Sequence, residues 1–104
     1  MSSSRRGAAS ILDGAASILD RAWELDPRVS VRPEPFGALL YHFGTRRLSF
    51  LKDRRLLAVV EGLGDAPTAR AACATAGVDD TALPAYERAL TRLAEADMLR
   101  ERVA

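Results

Sequence analysis

The chain has 104 residues, 48% apolar and 28% charged, with a net charge of +1, which describes one small soluble domain. A domain of this size hides only about two-thirds of its unfolded surface, so one modest core must hold it and little is left for a deep enzyme cleft. No apolar run nears the roughly 20 residues of a membrane span, Met1–Arg6 leads into no secretory signal, and a lone Cys73 and His42 exclude disulfide scaffolds and usual zinc sites, so a cytoplasmic location is expected.

Residues 1–21 read as a flexible or helical N-terminal extension, and residues 22–104 as the domain. The extension holds a direct repeat, Gly7-Ala-Ala-Ser-Ile-Leu-Asp13 and Gly14-Ala-Ala-Ser-Ile-Leu-Asp20. Its seven-residue period aligns Ile11, Leu12, Ile18 and Leu19 on one stripe of an amphipathic helix. Two copies are too few for a solenoid or a stable coiled coil, and Gly14 disfavours the helix by roughly 1 kcal/mol relative to alanine.

After Pro27 the period changes to two. Val29 and Val31 alternate with Arg28, Ser30 and Arg32, and Pro33 and Pro35 then interrupt the ladder, so a short strand and a constrained link are predicted. A hairpin follows. With Gly44-Thr45 as a two-residue turn, Tyr41 faces Leu48, Leu39 faces Phe50 and Phe43 faces Arg46. This register puts Leu39, Tyr41, Phe43, Leu48 and Phe50 on a predicted core face, and Leu40, His42, Arg47 and Ser49 on a wetter one.

From Lys52 the chain turns helical. Leu56, Leu57, Val60 and Leu63 recur at three and four, and Gly62 and Gly64 stop the first helix. Pro67 at a first helical position, with Thr68–Ala76 and Gly77, marks a short second helix. Asp79 or Asp80 caps a third, whose buried stripe is Leu83, Tyr86, Leu90, Leu93 and Ala94 and which ends near Asp97. Met98-Leu99 reads as a brief apolar return, and Arg100–Ala104 as a frayed tail. The predicted fold is therefore α+β and winged-helix-like: a three-stranded antiparallel sheet followed by three helices.

Charge is uneven along the chain. Residues 28–55 carry seven basic and two acidic side chains, whereas residues 56–104 carry five and eight. A local basic surface attracts an anionic partner even on a near-neutral protein, although a few solvated arginines around a hairpin account for it equally. Catalysis finds no support: Cys73 sits among alanines as a small packed residue, His42 reads as a surface imidazole on a strand, and no glycine-rich phosphate loop is present. A DNA-binding regulator, with Tyr86, Arg88 and Arg92 on a reading helix, is the alternative, but the acidic balance after residue 56 opposes phosphate contacts. Peptide binding fits better. A sheet ending at Arg46–Leu51 leaves one edge unpaired, and a peptide strand can cover it, with Arg46, Arg47 and Lys52 favouring acidic residues or acting only as edge guards.

The motifs Trp23-x-Leu25-x-Pro27, Val29-Ser-Val-Arg-Pro-Glu34, Phe36-Gly-Ala-Leu-Leu-Tyr41 and Arg46-Arg-Leu-Ser-Phe-Leu51 resemble the mycofactocin peptide chaperone family, relatives of the peptide chaperone of pyrroloquinoline quinone synthesis. The resemblance continues through Leu56-Leu-Ala-Val-Val60, Ala69-Arg-Ala-Ala-Cys73 and Leu83-Pro-Ala-Tyr-Glu87, over roughly residues 22–99. It implies a RiPP recognition element, a non-catalytic domain that captures the leader of a ribosomally made precursor and presents it to a radical S-adenosylmethionine maturase. No cofactor, metal, nucleic acid or membrane is expected, and the protein is expected as a monomer or weak homodimer. Carried to this chain, the resemblance implies a leader strand lying beside Arg46, Arg47, Leu48, Ser49, Phe50 and Leu51 and against Tyr86, Ala89, Leu90 and Leu93. Leu48, Phe50 and Leu90 serve equally well as core residues.

Overall fold

The computed structural model describes residues 17–102. The first copy of the repeat, Gly7–Asp13, lies outside them. Of the second copy, Ile18–Asp20 forms a 3-10 turn rather than an amphipathic helix, with Ile18 and Leu19 buried. Trp23–Leu25 (β1) follows as a strand, and its antiparallel partner is Leu99–Glu101 (β5). Leu99 is thus the start of a strand, and Arg100–Arg102 of the tail are tied in. Arg100 pairs with Glu24 at 2.6 Å, Arg21 with Glu101 at 3.1 Å, and Arg102 donates to the carbonyls of Gly64 and Ala66.

The three-stranded antiparallel sheet has the order β2-β3-β4, with β2 at Val29–Glu34, β3 at Gly37–His42 and β4 at Leu48–Leu51. β2 continues through Pro33 to Glu34, because Phe43 N–H donates to the Arg28 carbonyl and the ladder therefore uses alternate residues from Arg28 onward. Pro33 falls at an outward position of an edge strand, where no donor is missed. Gly37 is required by a close approach: a Cβ there would collide with the Leu51 carbonyl oxygen of β4.

The hairpin register is the predicted one, Tyr41 opposite Leu48 and Leu39 opposite Phe50. The turn is different. His42 N–H donates to the Arg47 carbonyl and Arg46 N–H to the His42 carbonyl, which makes Phe43–Arg46 a four-residue loop with Arg46 at φ 65°. The reason lies inside the loop, where Nδ1 of His42 accepts from the N–H groups of Gly44 at 2.9 Å and Thr45 at 3.0 Å.

The two sheet faces are the reverse of the expectation. Ala38, Leu40, His42 and Leu51 are fully buried under the helices, whereas Phe43, Leu48 and Phe50 are 62%, 59% and 66% exposed. Alternation separates the faces but does not say which one the helices cover. Helical cover goes to the face where Ala38 is small and where the polar His42 finds hydrogen-bond partners within its own loop. His42 is accordingly a buried imidazole rather than a surface one.

Three helices complete the domain: α1 at Arg54–Gly62, α2 at Ala69–Thr75 and α3 at Leu83–Glu95. Asp53 caps α1 by accepting from Leu56 N–H at 2.6 Å, and Thr68, not a Pro67 start, caps α2 by accepting from Ala71 N–H. Asp79 accepts from Ala82 N–H in the turn before α3. Met98 N–H returns to the Leu93 carbonyl with Asp97 at φ 64°, so α3 stops there and releases β5. The core joins Leu40 and Leu51 of the sheet to Val59, Val60, Leu63, Cys73, Leu90 and Met98, with Trp23 donating its indole N–H to the Ile18 carbonyl. Burial raises the Cys73 thiol pKa, consistent with a packed and unreactive side chain.

Asp26, at the β1–β2 corner, accepts from both the backbone and the guanidinium of Arg28, and these bonds lower its carboxyl to about 2 from 3.8. A depressed carboxyl contributes stability that is present above the unfolded-state pKa and lost as pH falls through the folded value. Acid titration is therefore expected to remove about 1–2 kcal/mol between pH 4 and pH 2, less than the full shift because the Arg28 side chain stands largely in water. Urea denaturation across that range checks it: Asp26→Asn should be weaker at neutral pH and flatter in acid.

Candidate functional site

The β4 edge is shaped by ladder parity. Since His42 and Arg47 form a hydrogen-bonded pair, Ser49 and Leu51 direct their backbone groups at β3, while Leu48 and Phe50 direct theirs outward. No described strand pairs with that outer edge. Beside it runs α3, and the space between is a groove of about 520 Å³.

One wall of the groove is Leu48, Ser49, Phe50, Leu51 and Lys52; the other is Ala85, Tyr86, Arg88, Ala89, Arg92 and Leu93, with Asp53 and Leu56 at the α1 end. The helical wall repeats at three and four, so it is one face of α3 adjoining the buried stripe. Tyr86 Oη donates to Asp53 at 3.2 Å, which ties the start of α1 to α3 and closes that end of the groove. Burial, then the neighbouring Asp53 carboxylate, raises the Tyr86 phenol pKa, so the hydroxyl keeps its proton and remains a donor.

Seven of the ten residues singled out in the sequence meet here: Leu48, Ser49, Phe50, Leu51, Tyr86, Ala89 and Leu93. Leu90 does not, being fully buried on the core side of α3. Arg46 and Arg47 stay outside the lining, exposed on the hairpin. Leu48 and Phe50 are not core residues. Their exposure lines one side of the groove with apolar surface, and together with Phe43 they form the kind of patch that marks an interaction site.

The cations of the groove are Lys52, Arg88 and Arg92, none with an ion-pair partner among the described residues. Arg88 and Arg92 were legible only as a nucleic-acid reading face, yet here they face a slot closed by a strand. Asp53, Leu56 and Ala85 were missed; the signal that could have found Ala85 is its spacing of three, four and seven to Arg88, Ala89 and Arg92. Among the described residues no cluster of His, Cys, Asp and Glu could hold a metal ion, and no helix is long and apolar enough to cross a membrane.

What the groove can do chemically is bind. It offers outward backbone donors and acceptors, an apolar floor and three cations, the means by which an extended peptide is held. Comparison with known proteins agrees with a binding role. The chain is 61% identical over 87 residues to the peptide chaperone MftB of Mycobacterium tuberculosis (strain ATCC 25618 / H37Rv), covering 84% of this chain and 80% of that protein. It is 61% identical over 80 residues to the peptide chaperone MftB of Mycobacterium ulcerans (strain Agy99), covering 77% and 73%. To the Mycolicibacterium smegmatis (strain ATCC 700084 / mc(2)155) protein of the same name it is 55% identical, covering 77% and 78%. No solved structure matches. The model of the peptide chaperone MftB family spans residues 22–100, the whole of both sheets but for the last residue of β5, and all three helices, and the chain belongs to that family.

Proposed function

We infer that this protein captures the leader of the mycofactocin precursor peptide in the groove between β4 and α3 and presents its far end to a radical S-adenosylmethionine maturase, in the cytoplasm and without turnover of its own. The observation that carries this reading is the open β4 edge, whose outward Leu48 and Phe50 backbone faces an apolar helix wall. A peptide added there makes bonds of about 0.5–1.5 kcal/mol each and seats apolar side chains worth roughly 1.5–3 kcal/mol each. Four bonds and two such seats come to about 5–12 kcal/mol, which outweighs the ~2–5 kcal/mol needed to order a free peptide and corresponds to a complex in the millimolar-to-micromolar range. Holding the leader raises the effective concentration of the reactive end at the maturase.

The three cations of the groove select carboxylates on the leader. Titration of the 15N-labelled protein with the mycofactocin precursor peptide is expected to move the amides of Leu48 and Phe50 and the α3 residues from Tyr86 to Leu93. Arg88→Glu with Arg92→Glu should weaken that binding by about tenfold and flatten its salt dependence, while Arg47→Glu, outside the lining, should matter less. Unmoved β4 amides at saturating precursor would refute the site.

A further inference from the structure

A strand added at β4 lengthens the sheet in its own plane and leaves one broad surface open. Alternation turns Ala38, Leu40, His42 and Leu51 toward the helices, so Arg32, Leu39, Tyr41, Leu48 and Phe50 share the opposite face. Phe43 joins them, its ring edge-on to Tyr41 with centroids 5.3 Å apart. Phe43, Leu48 and Phe50 are more than half exposed, so no described element covers this face.

We propose that the outer sheet face docks a folded protein whose surface is apolar at its centre and ringed by carboxylates, while the groove beside it holds the peptide. On the reading above, on which this rests, that protein is the maturase. Size favours it: the three exposed side chains, with half-buried Leu39 and Tyr41, present roughly 400 Å² of apolar surface. Interfaces are about 57% apolar, so this centre with a polar rim of Ser30, Arg32 and Glu34 suits roughly 700 Å² per partner, near the ~800 Å² of a standard specific complex. Charge decides between a second copy and a different protein. Residues 28–55, which include the whole sheet, hold seven basic and two acidic side chains. Of the two acids, Glu34 pairs with Arg32 at 2.8 Å and Asp53 caps α1. A second copy sets that positive excess against itself, whereas carboxylates of a different protein are drawn to it. Strand parity joins the two sites: Leu48 and Phe50 turn their backbone to the groove and their side chains to the face. Every second side chain of an added leader strand then lies on that face too, so the docked protein touches the peptide it is to receive.

The test measures two affinities for each variant, one for the mycofactocin precursor peptide and one for the maturase holoenzyme. Phe43→Ser in the hairpin loop and Tyr41→Thr, which keeps a strand former, both change residues outside the groove lining. Each is expected to weaken maturase binding by about 5–20-fold and to leave precursor affinity within about twofold. The complex of parent and maturase is expected to weaken as salt rises from ~50 to ~500 mM. Circular dichroism and melting curves confirm folding, and Phe43→Ser, at an exposed loop position, carries the test alone if Tyr41→Thr unfolds. Maturase affinity equal to the parent's in Phe43→Ser overturns the proposal, as does a complex indifferent to salt. A dimeric parent that either variant makes monomeric also overturns it, because the face then pairs with itself. Maturase binding that depends on Phe43 in a protein whose β4 amides ignore the precursor refutes the peptide site and supports the docking face.

Discussion

Phe50→Pro is expected to weaken peptide binding by about 10–100-fold while the domain stays folded. Phe50 N–H points outward from β4, opposite in sense to the bonds that join β4 to β3. Proline there removes a donor that no described backbone group uses, and edge positions of this kind tolerate it. Its ring also stands where an incoming strand must approach. Losing one bond and the aromatic contact amounts to about 1.4–2.8 kcal/mol, which is that fold-change. Ser49→Pro should behave in the opposite way, since Ser49 bonds inward in its pair with Leu40; it breaks the sheet and lowers thermal stability before any peptide is added. Calorimetric affinity and a melting curve for each variant separate the two effects. If Phe50→Pro binds like the parent, the leader does not add to this edge, and Phe50→Ala then reports the aromatic contact alone.

The same pair of residues shows how far the sequence could be read. Register followed from alternation and from where the hairpin had to close, so Leu39 opposite Phe50 was legible. The sense of the faces was not. Five large apolar residues on one face look like core by composition, but Leu48, Phe50 and Phe43 are held in solvent beside the groove, which is where local rules give way to binding. The buried face hid itself because it carries a small residue and a polar one, Ala38 and His42. On α3 the apolar stripe was visible, yet the 3.6-residue period could not show that Leu90 points into the core while Leu93 reaches both core and groove. β1 and β5 are three residues each, too short for any period to register, and their pairing depends on side chains far apart in sequence such as Glu24 and Arg100.

The largest loss of stability from a polar substitution is expected at His42. Its ring is fully buried, its Nδ1 accepts two backbone N–H groups of the hairpin loop, and its proton therefore resides on Nε2, 3.8 Å from the Asp26 carboxylate. The loop also needs Gly44 close to the ring, since a Cβ there would come within 2.9 Å of Cε1. His42→Ala opens a cavity beside Leu40 and leaves both donors without their acceptor, a combined cost of about 3–5 kcal/mol. At about 4–8 °C per kcal/mol for a domain of this size, the melting temperature should fall by more than about 12 °C. His42→Leu refills the space but not the bonds, and His42→Asn keeps an oxygen acceptor near the position of Nδ1, so the asparagine variant should recover the hairpin and the leucine variant the packing. Thermal and urea unfolding of the three would rank them with alanine lowest. A loss below about 1 kcal/mol for His42→Ala would mean that the loop holds itself without the imidazole. The consequence reaches the groove, because the loop that His42 braces sets the register that turns Leu48 and Phe50 outward: His42→Leu should bind peptide more weakly than its packing alone implies, and His42→Asn should not.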